Sequence, residues 1–405
     1  MTPLRLAWAN LAHKRARTAV AAGGVAFAVV LIFMELGLLG GVGRTATMLF
    51  DRLNFDLFIT SAEYMDLSRT EQFPRARLAQ ARAVAAVEDA VPLSYAGGGW
   101  RAPTRTGPFG TTPGGSVLSV SMIAVPPGQV ERAFLLGPGG AFATADEARA
   151  AGVAIARLDA FLLDRLSKPE FGTVSQLMAA SQEGTGDPVR LNDMRATVAG
   201  SFRLGTGFSW NGMLLSSEET FARFTGRPAD RIDFGLVQLR DGADVLAAQR
   251  ELRAVLPPDV KVHTREELNA EERRYWLRLT SIGQFLIVAV VLAVAVGVIF
   301  VYQMMAADIR NMLPEYATVK ALGYRPVYLT RVVLAQAGLL ALLGYAPGFA
   351  AALGLYAVAR NFGGIPTGMT VEVAVGVLVL TLGMCLASGL LAVRKVHAAD
   401  PADLF

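Results

Sequence analysis

The sequence is poor in cysteine, histidine and charge, and each shortage narrows what the chain can be. Its 405 residues include one cysteine, Cys385, so no disulfide can form within the chain. The three histidines, His13, His263 and His397, are scattered, and no H-E-x-x-H motif occurs. Charged residues make up 18% of the chain against 53% hydrophobic, which is a low charged fraction for a soluble protein.

Motifs for nucleotide hydrolysis and nucleophilic catalysis are also missing. No Gly-Lys pair occurs anywhere, which excludes the Gly-Lys-Ser/Thr of a Walker A loop. There is no G-x-S-x-G elbow, and Cys385 sits in an apolar run where a thiol is a poor nucleophile. The sequence therefore predicts neither an enzyme nor a bound cofactor or metal.

The basic residues are not placed as a nucleic-acid binder would place them. Residues 43–279 carry a net charge of −1, while the remaining pieces carry +5. A binder of nucleic acid concentrates positive charge on a folded domain. Here the basic excess flanks apolar runs instead.

Four apolar runs predict four membrane spans. Residues 18–42 form the first run, whose one charge is Glu35, and at about 1.5 Å per residue it is long enough to cross a bilayer. The run is longer than the apolar part of a signal peptide, which favours a retained anchor. Residues 1–17 are basic and predict an amphipathic helix on the cytoplasmic membrane face.

The other three runs complete the predicted topology. Residues 285–307, 327–359 and 372–393 are the further spans, with residues 308–326 and the tail 394–405 on the cytoplasmic side. Both termini are then cytoplasmic and residues 43–279 lie outside. Small residues recur four apart in two spans and predict close helix packing; we call this set the helix-packing seam: Ala289, Ala293, Gly297, Gly344 and Gly348.

The outer block, residues 43–279, predicts a split α/β domain. Strand–helix–strand patterns occur near its start and again near its end, which indicates one α/β part made of residues 43–115 and 228–263. The insertion between them, residues 116–227, is rich in Gly, Pro and short apolar runs and predicts a mostly β subdomain. Within it residues 201–216 predict paired strands, and Ser217 predicts a helix N-cap.

Residues 264–281 predict a stalk helix that continues unbroken into the second span. Thr264 and Glu267 have the spacing of a capping box, and no Gly or Pro follows. The acidic residues of this helix alternate with arginines at helical spacing, which predicts a solvated, ion-paired face rather than a general acid/base pair: Glu266, Glu267, Glu271, Glu272, Arg273, Arg274 and Arg278.

The polar run between the second and third spans, DIRNMLPEYATVKALGYR, predicts a short cytoplasmic helix. Pro314 suits a first helical position and Gly323 the residue past the end. A simple connecting loop is the alternative that the residues alone leave open.

Three stretches resemble FtsX-like ABC transporter permeases, and within them the DevC-type relatives of MacB: PEYATVKALGYRPVYL, VVLAQAGLLALLGYAPG and SGLLAVRKVHAADPADLF. The resemblance is sequence-specific over residues 264–405 and covers the layout of the whole chain. It implies a homodimer whose ATP is bound by a separate cytosolic ABC ATPase. In exporters of this kind the partners are a periplasmic adaptor and a TolC-like outer-membrane channel, and ATPase motion reaches the periplasmic domains mechanically.

The resemblance also places a coupling helix on the polar run, contacting the ATPase through Glu315, Tyr316, Thr318, Lys320, Ala321, Leu322, Gly323 and Tyr324. Two alternatives stay open in the same group, a lipoprotein-releasing permease of the LolC/LolE type and a regulator of periplasmic hydrolases like FtsX. From another class, a membrane-anchored periplasmic ligand sensor is the competing interpretation, although the tail after Arg394 has only eleven residues.

Overall fold

The computed structural model describes residues 2–13, 15–101, 105–107, 110–112, 117–183, 189–207, 210–311, 326–363 and 367–397. The chain divides into two compact units. We call residues 1–41 and 281–405 the membrane unit, and residues 42–280 the core unit.

The helices, in chain order, are α1 (Pro3–His13), α2 (Arg15–Ala46), α3 (Ala76–Arg82), α4 (Val130–Ala133), α5 (Ala145–Ile155), α6 (Val174–Glu183), α7 (Glu218–Thr225), α8 (Val245–Val255), α9 (Arg265–Arg274), α10 (Ser281–Asn311), α11 (Pro326–Gly363) and α12 (Val371–His397). The strands are β1 (Leu57–Ser61), β2 (Phe73–Pro74), β3 (Val87–Arg101), β4 (Arg105–Gly107), β5 (Gly110–Thr112), β6 (Leu118–Ala124), β7 (Ala160–Asp164), β8 (Arg190–Leu191), β9 (Met194–Arg195), β10 (Thr197–Phe202), β11 (Met213–Ser216), β12 (Arg231–Ile232), β13 (Phe234–Leu239) and β14 (Val260–Thr264).

The described residues of the membrane unit are helical except for residue 2 and residues 367–370. Its four long helices, α2, α10, α11 and α12, are each long and apolar enough to cross a membrane, and each contains one predicted span. Aromatic side chains pack between these helices. The ring of Phe33 on α2 contacts that of Phe349 on α11 edge to face, with 5.7 Å between the ring centres. The hydroxyl of Tyr356 donates to the main-chain oxygen of Phe33. These contacts fasten α11 to α2 within the unit.

The core unit is built on one large sheet, and four of its strands form the split α/β part. The order β14-β1-β13-β3 is antiparallel throughout. Helices α3 and α8 link the strand pairs and share one apolar cluster with the sheet, through Leu78 of α3 and Leu252 of α8. This is the ferredoxin-like form of the split β-α-β arrangement.

One long strand carries the sheet into the insertion. Residues 87–93 of β3 pair with β13, and residues 94–100 pair with β6. Beyond β6 the order continues β11-β7-β10, with parallel and antiparallel pairs mixed. The described residues of the insertion contain four helices, α4 to α7, beside the strands. They form a mixed α/β subdomain, whereas the Gly and Pro content of the sequence predicts a mostly β one.

The prediction that residues 201–216 hold strands paired with each other is wrong. Both β10 and β11 pair with β7, which lies between them. The carboxylate of Asp164, at the end of β7, accepts hydrogen bonds from the amides of Leu204 (2.9 Å) and Gly205 (2.7 Å). These bonds fix the path of the chain just after β10, where residues 203–207 lie outside any strand and Gly205 has φ +117°.

The two predicted caps are confirmed, but the unbroken stalk is not. Ser217 accepts from the amide of Thr220 at the start of α7, and Thr264 with Glu267 forms a capping box at the start of α9. Helix α9 then gives way to a π-helical turn, Tyr275–Leu279, and Thr280 is extended (φ −81°, ψ 149°). The hydroxyl of Thr280 donates to the main-chain oxygen of Trp276 at 2.6 Å, and such local bonds compete with helix continuation.

Candidate functional site

The candidate site lies where the chain enters and leaves the core unit. The first passage is residues 42–56, which follow the apolar part of α2, and the second is residues 264–280, which precede α10. These passages are the only covalent links between the units, because the chain divides at residues 41/42 and 280/281. Anything that couples the units through the chain acts on them.

Arg265, the first residue of α9, fastens the two passages together. Its guanidinium donates to the main-chain oxygens of Phe50 (2.7 Å), Leu53 (3.0 Å) and Phe55 (3.0 Å). Its Cζ also lies 3.9 Å from the centre of the Phe55 ring, within the range of a cation–π contact. Three charge-assisted bonds to one short segment fix its path, because the planar guanidinium presents its donors in a rigid fork.

Burial lowers the pKa of Arg265, and the carboxylates of Asp51 and Asp56 act in the opposite direction. The ordinary pKa of arginine lies so high that the side chain stays charged at neutral pH. The contact between the passages therefore joins a charged guanidinium in the second passage to neutral main-chain carbonyl groups in the first. The three hydrogen bonds do not depend on which side chains stand at the carbonyl positions, whereas the cation–π contact needs the ring of Phe55.

The start of α9 is also bonded to helix α8. The side chain of Glu267 accepts from the amide of Thr264 at 3.0 Å and from Nη2 of Arg253 on α8 at 3.1 Å. Burial raises the pKa of Glu267, but hydrogen bonds from Thr264 and Gln249 outweigh it and the net shift is downward. The carboxylate therefore stays ionised at neutral pH and keeps both bonds.

His263, the penultimate residue of β14, joins the stalk to β1. Its Nε2 lies 3.0 Å from Oγ1 of Thr60 and its Nδ1 lies 3.4 Å from a carboxylate oxygen of Glu271. Burial lowers the pKa of His263, and Glu271 acts against that shift. The lowered pKa favours the neutral imidazole at pH 7, so this contact is a hydrogen-bonded one in the folded domain.

The first passage also contacts the insertion. The amide of Asn54 donates to the main-chain oxygen of Ala133, and the amide of Leu135 donates to that of Arg52, both at 2.9 Å. Gly207, in the β10–β11 loop, comes so near Thr45 that an added Cβ would lie 2.7 Å from the Cβ of Thr45. The first passage is therefore bonded to the insertion and, through Arg265, to the stalk.

Asp233 joins the two subdomains of the core unit. Its fully buried carboxylate accepts from Nη1 of Arg227 (2.6 Å), the hydroxyl of Thr70 (2.9 Å) and the amide of Tyr95 (2.9 Å). Burial raises its pKa and Arg227 is the largest opposing influence. Arg227 follows α7 of the insertion, whereas Asp233 precedes β13 of the split part, so an ion pair that is buried at its Asp233 end spans the boundary.

Two small residues of the predicted seam contact the first span through α11. A Cβ on Gly344 would lie 2.5 Å from the Cβ of Val25, and one on Gly348 would lie 2.8 Å from a methyl carbon of Val29. Both valines are on α2 and are buried. A Cβ added at Gly344 or Gly348 would also lie 2.9 Å from the main-chain oxygen of Ala22 or Ala26, respectively. Because both positions are glycine, the backbones of α11 and α2 can pack directly against each other.

The rest of the seam lies on α10. Gly297 faces Ala28 of α2 and Met384 of α12, with an added Cβ 3.1 Å from the Cβ of Ala28 and 2.8 Å from the Met384 sulfur. Ala293 is buried in the apolar cluster that also contains Val25 and Val29, and Ala289 is half-buried. The described helices of this chain thus supply neighbours for the seam.

The predicted coupling-helix residues fall outside the described residues: Glu315, Tyr316, Thr318, Lys320, Ala321, Leu322, Gly323 and Tyr324. Their role stays a prediction. Among the described residues, no cluster of three or more His, Cys, Asp or Glu side chains is placed to hold a metal ion.

The structure adds site residues that sequence reasoning missed. The partners of Arg265 are main-chain oxygens more than two hundred residues earlier, which no spacing rule relates to it. The solvated, ion-paired face predicted for the stalk also needs correction, because Glu272 is fully buried and accepts a hydrogen bond from the hydroxyl of Tyr64. A tyrosine 208 positions earlier gives no local sequence pattern.

Comparison with known proteins agrees with this architecture of four apolar helices and a large α/β domain after the first. The model of the MacB-like periplasmic core domain matches residues 18–255, which is more than half of the chain. The model of the FtsX-like permease C-terminal region matches residues 287–401. The chain therefore belongs to the family of MacB-like and FtsX-like ABC transporter permeases, and the core unit contains its periplasmic domain.

Among solved structures, the chain matches the periplasmic region of MacB from Actinobacillus actinomycetemcomitans. It is 12% identical, with a TM-score of 0.32, and the match covers 58% of this chain and 96% of that one. The extracellular domain of the noncanonic ABC-type transporter YknZ from Gram-positive bacteria is also 12% identical, with a TM-score of 0.30, covering 52% and 99%. No curated protein sequence matches the chain.

Proposed function

We propose that the chain is the permease subunit of an ABC exporter of the MacB/DevC type, which transmits motion of a separate cytosolic ATPase to its periplasmic domain. The observation that carries this proposal is the Arg265 contact. Because both covalent links between the units are bonded together at Phe50, Leu53 and Phe55, a displacement of either passage acts on the core unit as a whole.

The partners follow from the same proposal. ATP is bound by a separate ABC ATPase, since this chain lacks the Walker A sequence. The ATPase docks on residues 314–322, and two copies of the chain form a homodimer. The protein lies in the inner membrane with both termini in the cytoplasm, and its periplasmic domain works with an adaptor protein and a TolC-like outer-membrane channel.

The test follows a nucleotide-dependent change at the stalk. A single thiol replaces Met65, a half-exposed side chain next to Tyr64, in a chain that also carries Cys385→Ser. The full chain is assembled with its copurifying ATPase in nanodiscs, and the labelling rate of the thiol is compared with ADP and with ATP plus vanadate. We expect the two nucleotide states to differ.

Replacing Arg265 separates coupling from hydrolysis. Arg265→Ala removes up to three charge-assisted bonds, worth about 2–4 kcal/mol together once partial exposure is allowed for. We expect it to abolish the nucleotide-dependent difference while ATPase binding persists, and Arg265→Lys to give an intermediate result because lysine lacks the fork. Arg273→Ala, which removes an exposed guanidinium from the same helix, is the matched control.

Two outcomes would overturn the proposal. One is a thiol at position 65 that labels at the same rate in both nucleotide states of the wild-type complex. The other is an Arg265→Ala variant that keeps the full difference, because the two passages would then not need their bond to act together.

A further inference from the structure

A buried carboxyl group lies on the last turn of the stalk helix. Glu272 of α9 has no exposed surface, and its Oε1 accepts a hydrogen bond from the hydroxyl of Tyr64. Its Oε2 is buried without a hydrogen-bond partner among the described residues. Asp66, two residues after Tyr64, is also fully buried, and its Oδ2 likewise lacks a partner in the part of the chain that the structure describes.

The surroundings of this pair favour a protonated Glu272. Burial is the largest influence and raises the pKa of Glu272 to about 8, with the charge of Asp66 adding to it. Tyr64, the amide of Leu67 and the side chain of Trp276 act in the opposite direction. A buried carboxylate with an unpaired oxygen is costly, and protonation lowers that cost because it removes the buried charge.

The charged and titratable groups around the cluster come from every neighbouring element. They are Arg69 on the loop after β1, Tyr95 on β3, Asp233 before β13, His263 on β14, and Glu271 and Tyr275 on the stalk. Arg69 is the arginine among these groups, and its charge acts to lower the pKa of Tyr275. No arginine or lysine is paired with Glu272 itself among the described ion pairs.

The backbone just after Glu272 forms a π-helical turn, which can convert to an α-helical one. The π-helical turn Tyr275–Leu279 follows directly, closed by a bond from the amide of Thr280 to the oxygen of Tyr275 at 3.1 Å. A π turn holds one residue more than an α turn, so converting it rotates one side against the other by about 100°. Such a change moves the stalk past Tyr64, and the Glu272 contact opposes it.

We propose that Glu272, Tyr64 and Asp66 form a proton-dependent latch, which holds the stalk on the loop of residues 62–69 and loosens as Glu272 gives up its proton. The latch regulates the stalk that the proposed function uses, and in that sense rests on it. Its ligand is the proton of the periplasmic medium. The stalk can then respond to the pH of the medium through Glu272 alone, without a bound cofactor.

The direction of the pH effect follows from the two states. In the released state Glu272 meets water and titrates near its ordinary value of 4.5, whereas in the latched state it titrates near 8. The latched state therefore binds the proton more tightly, and its advantage is complete below about pH 4.5. It is lost progressively as the pH rises to about 8, and is constant above that.

Hydrogen exchange of the full chain in nanodiscs, without any ATPase, measures this directly. After correction for intrinsic exchange rates, protection of residues 265–280 should fall by up to tenfold per pH unit between pH 5 and 8 and level off above 8. Glu272→Gln, which is neutral at every pH, should remove the dependence. Glu266→Gln, an exposed acid on the same helix, should behave as wild type.

Two further variants move the levelling-off point in opposite directions. Asp66→Asn removes the neighbouring negative charge but keeps an acceptor for the amide of Ser68, so it should level off at a lower pH. Tyr64→Phe removes a donor that favours the ionised form, so it should level off at a higher pH. Shifts in the same direction, or a wild-type profile that is flat, would overturn the latch.

The failure of the latch and the failure of the proposed function are distinguishable. A flat exchange profile with intact nucleotide-dependent labelling at position 65 removes the latch and leaves the transducer. A pH-dependent profile abolished by Glu272→Gln, with no nucleotide response, establishes the latch and removes the transducer.

Discussion

The packing of α11 on α2 gives the sharpest prediction for the membrane unit. Gly344→Ala places a Cβ 2.5 Å from the Cβ of Val25 and 2.9 Å from the main-chain oxygen of Ala22. Two carbon atoms pack at about 3.5–4.0 Å, so the helices must separate by roughly 1 Å or more. A main-chain oxygen cannot rotate away as a flexible side chain can.

The expected magnitude combines two opposing effects. Overpacking of this kind costs about 1–3 kcal/mol, while alanine is about 1 kcal/mol better than glycine inside a helix. The net loss for Gly344→Ala is then about 0–2 kcal/mol in the free energy of unfolding, and about 1–3 kcal/mol relative to an alanine substitution at an unhindered glycine of the same helix. Gly348→Ala, with an added atom 2.9 Å from the oxygen of Ala26, should lose a similar amount. The double variant should lose less than the sum, because one separation of the helices relieves both clashes.

The same helix offers two matched controls. An added Cβ on Gly338 or Gly354 of α11 would have no atom within 4 Å among the described neighbours. Gly338→Ala and Gly354→Ala should therefore be neutral or stabilising by up to about 1 kcal/mol. Unfolding of the purified chain by titration with SDS, followed by circular dichroism, measures all four. If Gly344→Ala and Gly348→Ala are as stable as the controls, the close packing of α11 on α2 does not exist.

Substitutions at Gly297 test whether a flexible neighbouring side chain tolerates an added Cβ better than a main-chain oxygen does. Its closest neighbour is the sulfur of Met384, the end of a flexible side chain, and the Cβ of Ala28 lies at 3.1 Å. Gly297→Ala should therefore lose less stability than Gly344→Ala, because Met384 can change rotamer. Gly297→Leu exceeds what that movement can accommodate and should loosen the unit.

The remaining predictions concern the ATPase contact, the topology and a cap. Tyr316→Ala should weaken copurification of the ATPase, and Gly323→Val should reduce coupled ATP turnover at normal membrane levels; wild-type values in both would make residues 308–326 a simple connector. A thiol introduced at Asp187 should be labelled from outside the cell and one at His397 should not, with the reverse pattern refuting the orientation. Ser217→Ala removes the N-cap bond of α7 and should lower the free energy of unfolding of the core unit by about 1 kcal/mol in urea titration, whereas no change would mean that solvent replaces the bond fully.

What the sequence could predict was set by local patterns. The four spans follow from run length, and each lies within one long apolar helix. Thr264 and Ser217 were identifiable as caps because a cap depends on residues three or four positions away. The two halves of the split α/β part also follow, since each strand–helix–strand unit is contiguous.

The contacts that make the candidate site are long-range and could not be predicted. The fate of Glu272 is decided by Tyr64, and helical spacing with arginines points wrongly to a solvated face. The stalk break depends on the hydroxyl of Thr280 bonding back to Trp276, in a segment with no Gly or Pro to mark it. The positions of β10 and β11 follow from Asp164, whose carboxylate shapes a loop forty residues later.

These long-range anchors share one chemical form. Arg265, Asp164 and Asp233 are charged side chains whose partners include main-chain carbonyls or amides in distant loops. Burial raises the pKa of Asp164 and of Asp233, and the bonds they accept oppose that shift. Since main-chain groups are present at every residue, such an anchor fixes the path of a loop without constraining the loop's own side chains. The charged side chain therefore determines the path of the loop. Replacing it leaves buried main-chain groups without a hydrogen bond, which should lower the free energy of unfolding by about 1–3 kcal/mol for each group. Under the proposed function the periplasmic domain moves as one body, and hydrogen bonds to main-chain groups serve that motion because they do not depend on the side chains that the loops present to a partner.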